Sequence, residues 1–424
     1  MKKLILYSFL IIFIQFNLNA QSLTVETCQT KAIANYPLVK QYGLIEQTSQ
    51  FNISNANKGY LPQLSLSAKA TYQSAVTQIP AVLGQKLGVT LPSLAKDQYQ
   101  AVLEASQVIW DGGVISSQKN ATNAGTEVER KKLEVDLYAL KDRVNQLFFG
   151  ILLLDEQLKQ NDILENDLAT NYNRLEAYKQ NGIANQADID AVHVEQLNVS
   201  QRDEDLKSTR KTYCMMLSAL TGITISDKTE LIRPVVDLSI QKDTLNHRPE
   251  ISLFDAQNKM YESQKSILKA GNLPKLGAFI QGGYGQPGLN MFTIGFSPFY
   301  IGGLRLSWNI SGLYSQKNNI SKLESSMKTV DVQKETFLFN NSLITKQQQN
   351  DIVKLQTTLL NDDEIIRLRV NIKKAATAKM ENGTSSVSDL IREINAENQA
   401  RQLKSLHEIQ LLMTVYQLKN NTNN

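Results

Sequence analysis

The residue types that most often carry chemistry are sparse in this sequence. Its 424 residues include only three histidines and two cysteines. His193, His247 and His407 are isolated from one another, and Cys28 and Cys214 match no metal-binding spacing. The sequence also lacks the nucleophile elbow of a hydrolase and the glycine-rich loop that binds phosphate. We therefore predict no catalytic residue, no cofactor, no metal site and no enzymatic activity.

The other ionisable groups indicate no particular ligand. The acidic triplet Asp362-Asp363-Glu364 lies in a predicted helix, where we expect it to face solvent. The two cysteines are expected to be buried or free thiols, and one disulfide is the alternative in an oxidising compartment. A net charge of +4 is close to neutral for this length and indicates no nucleic-acid partner.

The first twenty residues predict export from the cytoplasm. Two lysines precede an apolar run from Leu4 to Phe16, and Ala20 follows at the expected cleavage point. The run is shorter than the roughly 20 residues that span a bilayer. A signal peptide over residues 1–20 is therefore favoured over an N-terminal membrane anchor.

Three short signals occur twice in the same order, roughly two hundred residues apart. They are an L-P-x-L segment, a tryptophan followed by Asp or Asn, and an Asn-Gly pair with an aspartate six residues after the glycine. The copies are Leu61–Leu64 and Leu273–Leu276, Trp110-Asp111 and Trp308-Asn309, and Asn181-Gly182 with Asp188 and Asn382-Gly383 with Asp389. The ordered set predicts a duplicated unit, with repeat 1 over residues 21–235 and repeat 2 over residues 236–424.

Each repeat is predicted to run helix, strand, loop, strand, long helix, turn, long helix. Gly59 and Gly271 are expected to end helices in the left-handed conformation that glycine tolerates. Pro62 and Pro274 prevent further helix and are acceptable at the first position of a strand. These four residues therefore mark the two transitions from helix to strand.

Trp110 and Trp308 are expected to end the second strand of each hairpin, which gives hairpins over residues 62–110 and 274–310. The small polar residues that follow can cap a new helix. Apolar and polar residues alternate from Leu64 to Tyr72. This pattern fits a membrane strand between lipid and a polar lumen, and a half-buried strand of a soluble sheet is the alternative. Four strands are too few to close a barrel, which needs roughly eight, so a barrel would be shared between subunits.

The long helices carry the strongest pattern. Apolar residues recur at alternating spacings of four and three, which predicts a coiled-coil seam. The seam is Leu133, Leu137, Leu140, Val144, Leu147, Ile151, Leu154 and Leu158. No proline occurs between Trp110 and Arg233. An unbroken helix over residues 114–181 would be about 100 Å long at ~1.5 Å per residue.

Together these features resemble the TolC family of outer-membrane efflux proteins over essentially the whole chain after residue 20. The resemblance is carried by the duplicated order, the L-P-x-L strand openings, the tryptophan strand exits and the two Asn-Gly turns. It implies a mostly α protein with a small β part, built from a duplicated unit of long antiparallel coiled-coil helices. Each protomer of a homotrimer would give four transmembrane strands to a twelve-stranded barrel and two helical hairpins to a tunnel.

The function implied by this resemblance is a trimeric channel in the outer membrane that extends into the periplasm. It would be the exit duct of a tripartite efflux or type I secretion system and would pass small molecules or polypeptides. The implied partners are outer-membrane lipid, a periplasmic membrane-fusion adaptor and an inner-membrane pump of the RND, ABC or a similar class. The alternative is a periplasmic adaptor or coiled-coil scaffold without a pore, although an adaptor would normally have one helical hairpin.

The same resemblance implies that the two Asn-Gly turns form a periplasmic aperture and contact the adaptor. The aperture positions are Asp188, Met380, Asp389 and Arg392, and the adaptor-contact turns are Asn181-Gly182-Ile183 and Asn382-Gly383-Thr384. The sequence departs from the family where Arg392 replaces an acidic residue and Met380 replaces a tyrosine of the channel lock. Because Asp389 and Arg392 lie three residues apart on one helix face, we expect them to pair with each other or across protomers.

Overall fold

The computed structural model describes residues 23–77, 94–182, 184–226, 229–235, 246–290 and 295–423, together with residues 86, 88 and 293. The predicted signal peptide, Ile183 and much of the loop over residues 75–97 lie outside the described residues. Within these ranges the chain is mostly helical and has one small antiparallel sheet. None of the helices in these ranges combines the length and the apolar character required to cross a membrane.

The elements follow the predicted order in both halves of the chain. They are α1 (Val25–Asn35), α2 (Gln41–Asn57), β1 (Gln63–Tyr72), β2 (Asp97–Trp110), α3 (Val114–Tyr138), α4 (Leu140–Gln180), α5 (Gln186–Thr221), α6 (Pro249–Gly271), β3 (Lys275–Gln286), β4 (Ser297–Ser307), α7 (Gly312–Glu381) and α8 (Val387–Thr422). Short 3₁₀ helices span Pro37–Lys40 and Lys58–Tyr60.

The described residues form two compact units. The helical unit takes those within Met1–Lys40, Leu133–Ile251 and Glu335–Asn424. The sheet unit takes those within Gln41–Lys132 and Ser252–Lys334. Both units therefore draw residues from both predicted repeats.

The coiled-coil seam forms the core of the helical unit. Its members from Leu133 to Leu154 are buried, as predicted, and Leu158 is half-buried. Phe148 and Phe149 pack edge to face beside the seam, in a core shared by α1, α4, α5 and α8. Full burial of one such side chain contributes about 1.5–3 kcal/mol, so the buried seam contributes substantially to the stability of the unit.

The prediction of one unbroken helix over residues 114–181 is wrong at one interior position, and the helix ends one residue earlier, at Gln180. Ala139 separates α3 from α4 and has φ −60° and ψ −18°. Its N–H still donates to the Val135 carbonyl at 3.3 Å. The backbone therefore stays in the right-handed region, and the interruption is confined to one position.

Both cysteines are buried in the helical core, and no disulfide joins them. Burial, with the nearby Glu26 carboxylate adding to it, raises the pKa of the Cys28 thiol to about 11. A thiol with so high a pKa stays protonated and unreactive at neutral pH. The expectation of buried thiols is therefore confirmed.

The two transitions from helix to strand lie where the prolines place them, but the glycines act differently from the prediction. β1 and β3 each begin one residue after Pro62 or Pro274. Gly59 lies in a 3₁₀ turn and Gly271 is the last residue of α6, and neither has a positive φ. A Cβ on Gly59 would lie 2.9 Å from Ile115 Cδ1, so close packing explains that glycine.

The exits from the strands are also close to prediction. Trp110 is the last residue of β2, and Trp308 follows the end of β4 by one residue. Asp111 caps α3 by accepting the N–H groups of Gly113 at 2.8 Å and Ile115 at 2.7 Å. In the second copy the hairpin predicted to reach residue 310 is too long, since β4 ends at Ser307. The Trp308 indole N–H donates to the Asn272 carbonyl at 3.0 Å.

Candidate functional site: the two helical turns and the two-faced sheet

The first turn joins α4 to α5 over residues 181–185. The N–H groups of Asn181 and Gly182 donate to carbonyls in the last turn of α4, at 3.2 and 3.0 Å. Gly182 has φ +72°, a left-handed conformation that costs glycine little. The Asn-Gly pair therefore ends the helix as predicted.

The second turn joins α7 to α8 over residues 382–386 and repeats this conformation. Gly383 has φ +68°. The N–H groups of Asn382, Gly383 and Thr384 donate to the last carbonyls of α7 at 2.9 to 3.1 Å. The Thr384 hydroxyl adds a bond of 3.0 Å to the Lys379 carbonyl. Both turns thus satisfy the carbonyl groups that a helix end leaves without partners.

Asp188 and Asp389 complete the N-terminal caps of the returning helices. The Asp188 N–H donates to the Asn185 side chain at 3.0 Å, and the Asn185 N–H donates to the Asp188 carboxylate at 3.2 Å. Ser386 and Asp389 form the same reciprocal pair at 3.1 and 3.3 Å. These are capping boxes, which the spacings N-x-x-D and S-x-x-D in the sequence reveal. Each aspartate therefore has a structural role that the sequence analysis missed.

Asp389 accepts further hydrogen bonds beyond its cap. The hydroxyls of Ser386 and Ser385 donate to its Oδ2 at 2.8 and 3.2 Å. The Arg392 guanidinium lies 3.2 Å from its Oδ1. The hydrogen bonds from Ser386 and Ser385, with a smaller effect of Arg392, hold the pKa of Asp389 below its ordinary value. Asp389 and Arg392 thus pair within one protomer, as one of the two expectations stated.

Arg392 also begins a chain of charges that connects α8 to α7. Its Nε lies 3.4 Å from Glu393 Oε1, and Glu393 Oε2 lies 3.3 Å from Arg369 on α7. The Arg392 side chain is 69% exposed. Exposed ion pairs contribute only about 0–1 kcal/mol, so this chain sets the local charge pattern more than it stabilises the fold.

Met380 is buried rather than exposed at the second turn. It is 7% exposed and packs in a cluster that we call the apical cluster. Its buried members are Leu164, Leu168, Leu175, Ile189, Val192, Val199, Met380, Val387, Leu390 and Ile394. The cluster draws on α4, α5, α7 and α8 and joins the two helical hairpins. A role of Met380 at an aperture stays a prediction.

Lys373 links three helices beside the apical cluster. Its Nζ lies 2.8 Å from Asp167 on α4 and 2.7 Å from Glu397 on α8. Burial acts to lower the pKa of Lys373, but its hydrogen bonds to the two carboxylates outweigh burial and raise it. Glu397 is 5% exposed and also pairs with Arg401 at 2.7 Å, so the two cations together compensate the burial of its charge. No local sequence signal marks this group, because Asp167 and Lys373 are far apart in the chain.

The acidic triplet on α7 is not uniformly solvent-exposed, contrary to the expectation. Asp362 is buried, and its Oδ2 lies 2.6 Å from Nδ1 of His407 on α8. Asp363 pairs with Lys404, also on α8, at 2.5 Å. Adjacent helical positions point in different directions, so three consecutive acids cannot share one environment.

The register of the sheet separates an apolar face from a polar face. The strands pair antiparallel in the order β1-β2-β3-β4, and residues directly opposite each other share a face. The large aliphatic residues of the apolar face are Leu64, Leu66, Leu103, Ile280, Leu304 and Leu306. They are 54% to 77% exposed. So large a continuous apolar surface requires a partner or lipid.

Aromatic residues mark both ends of the apolar face. Tyr72, Tyr99, Tyr284 and Tyr300 lie near the ends of the strands that the β-hairpin loops join. At the other end the register shifts so that Val108 lies opposite Gly277 and Trp110 opposite Leu276. This bulge places Trp110, rather than Ile109, on the apolar face. Aromatic belts of this kind occur where membrane proteins cross the two interfaces.

The polar face explains Gly283 of β3. Gly283 lies opposite Phe299, and Phe279 lies opposite Gly303. A Cβ on Gly283 would lie 2.3 Å from Phe299 Cζ. The glycine therefore leaves room for an aromatic ring from the neighbouring strand.

Comparisons with known proteins agree on the fold. No protein-family model and no curated protein sequence matches this chain. Solved structures do match over nearly the whole chain. The outer-membrane channel OprN aligns with a TM-score of 0.69 and 13% identity. The alignment covers 94% of this chain and 89% of the OprN chain. The outer-membrane protein VceC of Vibrio cholerae aligns with a TM-score of 0.64 and 13% identity, over 93% and 94% of the two chains.

A third solved structure supports the same conclusion. The open state of the outer-membrane channel MtrE of Neisseria gonorrhoeae aligns with a TM-score of 0.65 and 12% identity. The alignment covers 94% of this chain and 89% of that chain. At such low identity the likeness shows the fold alone. This chain and these channels thus share one fold over nearly their whole length.

Proposed function

We propose, from the fold that this chain shares with TolC-like outer-membrane channels, that it is itself an outer-membrane channel extending into the periplasm. Three copies would form one duct, with a twelve-stranded barrel continued by a tunnel of helices. The duct would act without enzymatic chemistry as the exit of a tripartite efflux system. Small molecules delivered by a periplasmic adaptor and an inner-membrane pump would leave through it.

The observation that carries this proposal is the two-faced sheet. Its apolar face is exposed over all four strands, and its opposite face carries most of the polar and charged residues. β1 and β4 are its outer strands, and open edges of this kind invite pairing with another chain. Three copies joined edge to edge, β1 to β4, would give a closed barrel with lipid outside and water inside.

The exposed apolar residues of α7 support the same assembly. Phe339, Val353 and Leu360 are spaced by multiples of seven and are 63%, 48% and 74% exposed. These three residues lie on one helix face, and an exposed apolar row of this kind is suited to packing against another helix. Packing against a helix of a second copy would bury it.

The two turns are proposed as the periplasmic aperture and the adaptor contact. Both place a capped connection at the end of a long helical hairpin, which suits a docking tip. Asp188, Asp389 and Arg392 supply charge there, and Met380 supports the second turn from inside the apical cluster.

A pair of adjacent substitutions on β1 tests the channel against a scaffold without a pore. Leu66 and Ser67 lie on opposite faces. L66K places a charge against lipid, which costs about 2–4 kcal/mol at the bilayer midplane, whereas S67K places the same charge in the lumen. We expect wild type and S67K to be extracted from outer membrane as trimers that conduct ions in planar bilayers. L66K should sharply reduce the amount of assembled trimer.

The opposite result would exclude the channel. If wild type fractionates with soluble periplasmic protein and L66K behaves like S67K, the apolar face does not meet lipid. An adaptor or scaffold without a pore would then explain the result better.

For the efflux role, deletion of the gene should increase sensitivity to at least one toxic small molecule, and S67K but not L66K should restore resistance.

A further inference from the structure

The charged residues of the sheet are few and lie almost entirely on its polar face. They are Lys69 on β1, Asp97 and Glu104 on β2, Lys275 on β3 and Arg305 on β4. Asp97 lies opposite Tyr72, at the loop end of the sheet and in register with the apolar face. The other four share the polar face, so three cationic residues stand there against one acidic residue.

Glu104 and Arg305 neutralise each other. Arg305 Nη1 lies 3.1 Å from Glu104 Oε1. The guanidinium also stacks on the Phe279 ring, with 4.4 Å between its Cζ and the ring centroid. Glu104 and Arg305 belong to β2 and β4, so the pair reaches across β3. The ion pair of Glu104 and Arg305 therefore has no net charge, and the Phe279 ring fixes its geometry.

Lys69 and Lys275 have no such compensation among the described residues. Lys69 lies opposite Gln100, and Lys275 lies opposite Ser307. Both lysines are exposed. The polar face of one protomer therefore keeps a net charge of +2, and three copies around a common axis would present two rings of three lysines each.

We propose that Lys69 and Lys275 make the barrel lumen select for anions, so that anionic solutes are the favoured cargo of this part of the duct. The inference rests on the proposed function, because it needs the polar face to line a water-filled lumen. Rings of lysine or arginine favour anions in pores. The apolar face would meet lipid and supplies no charge within the bilayer to offset them.

Screening by dissolved salt limits how strongly the lysine rings can select for anions. The Debye length is about 10 Å at 0.1 M salt and about 3 Å at 1 M. Lysine rings in a barrel shared by twelve strands would therefore act strongly on ions near the wall at low salt and weakly at high salt. The preference for anions should shrink as ionic strength rises.

The test uses the full chain reconstituted in planar bilayers under a KCl gradient centred near 0.1 M. The reversal potential gives the permeability ratio of chloride to potassium. We expect this ratio to fall about twofold or more from wild type to K69Q/K275Q, since both rings are removed while the charged residues of the two turns stay the same. The single variants K69Q and K275Q should each give part of that fall, and they keep the test open if the double variant does not assemble.

The matched control is E104Q/R305Q, which removes two charges of opposite sign and leaves the net charge of the polar face unchanged. It should keep the wild-type ratio within experimental error. An unchanged ratio in the lysine variants, or an equal fall in the control, would overturn the anion preference while leaving the channel intact. Failure of wild type to form any conducting pore would instead count against the proposed function itself.

Discussion

The first and second turns have the same backbone conformation but differ in the residues that surround them. Both place a glycine at positive φ and close with a capping box. When the two repeats are aligned at their Asn-Gly pairs, Lys179 near the end of α4 corresponds to Met380 near the end of α7. Lys179 bonds to the Gln186 side chain near the surface, whereas Met380 fills the apical cluster. The glycine conformation and the capping box are therefore local features that occur in both turns, whereas the side-chain packing around the turns differs.

The largest effect that tests this difference is expected at Met380. M380A removes a buried side chain from the apical cluster and should lower the free energy of local opening by about 2–5 kcal/mol. K179A removes an exposed side chain at the matching position and should change it by no more than about 0.5 kcal/mol. Amide hydrogen exchange of peptides covering each turn measures both values.

Equal losses in the two variants would show that the cluster does not depend on Met380. The two turns would then be alike in their backbone conformation, their caps and the support they receive from surrounding side chains.

The next effect concerns the shared part of the comparison. G182A and G383A should each cost about 1–2 kcal/mol, because a Cβ is strained in the left-handed region. The two losses should be similar, since neither added Cβ meets another atom within 4 Å. Hydrogen exchange at the turns again provides the measurement. G43A in α2 is the control, because Gly43 also has open space but no positive φ, and alanine there should be neutral or stabilising.

The caps should give a smaller effect of the same kind in both turns. S386A and N185A each remove the acceptor for an N–H at the start of the returning helix, which costs about 0.5–2 kcal/mol. S386N should restore most of the loss, because asparagine caps the first turn. The readout is exchange of the first helical amides of α8 and α5. A loss that S386N does not restore would assign Ser386 a role other than capping.

These cases show which features could be predicted from sequence. The heptad seam, the Asn-Gly turns and the strand alternation were predicted correctly because each depends on residues close together in the chain. The capping boxes were equally local and were missed. The burial of Met380 and the Lys373 group depend on residues from different helices, so no single stretch reveals them. The bulge before Trp110 was hidden for a related reason, since it is defined by the pairing of β2 with β3 rather than by β2 alone.

The smallest expected effect is a pH dependence at the second turn. The folded pKa of Asp389 is lowered, chiefly by its hydrogen bond from Ser386. Its contribution to stability is therefore fully present above the unfolded pKa of about 3.9 and is lost as the pH falls through the lower folded value. Hydrogen exchange corrected for intrinsic rates should show local protection of the second turn decreasing below about pH 4.

The variant D389N isolates this effect, because asparagine keeps a carbonyl acceptor for the cap and does not titrate. It should lower protection slightly at neutral pH and remove the Asp389 part of the acid dependence. The side chain is exposed, so solvent screening keeps the difference small. A profile in D389N that falls as steeply as in wild type would assign the acid sensitivity to another carboxylate, with buried Glu397 beside Lys373 as the next group to substitute.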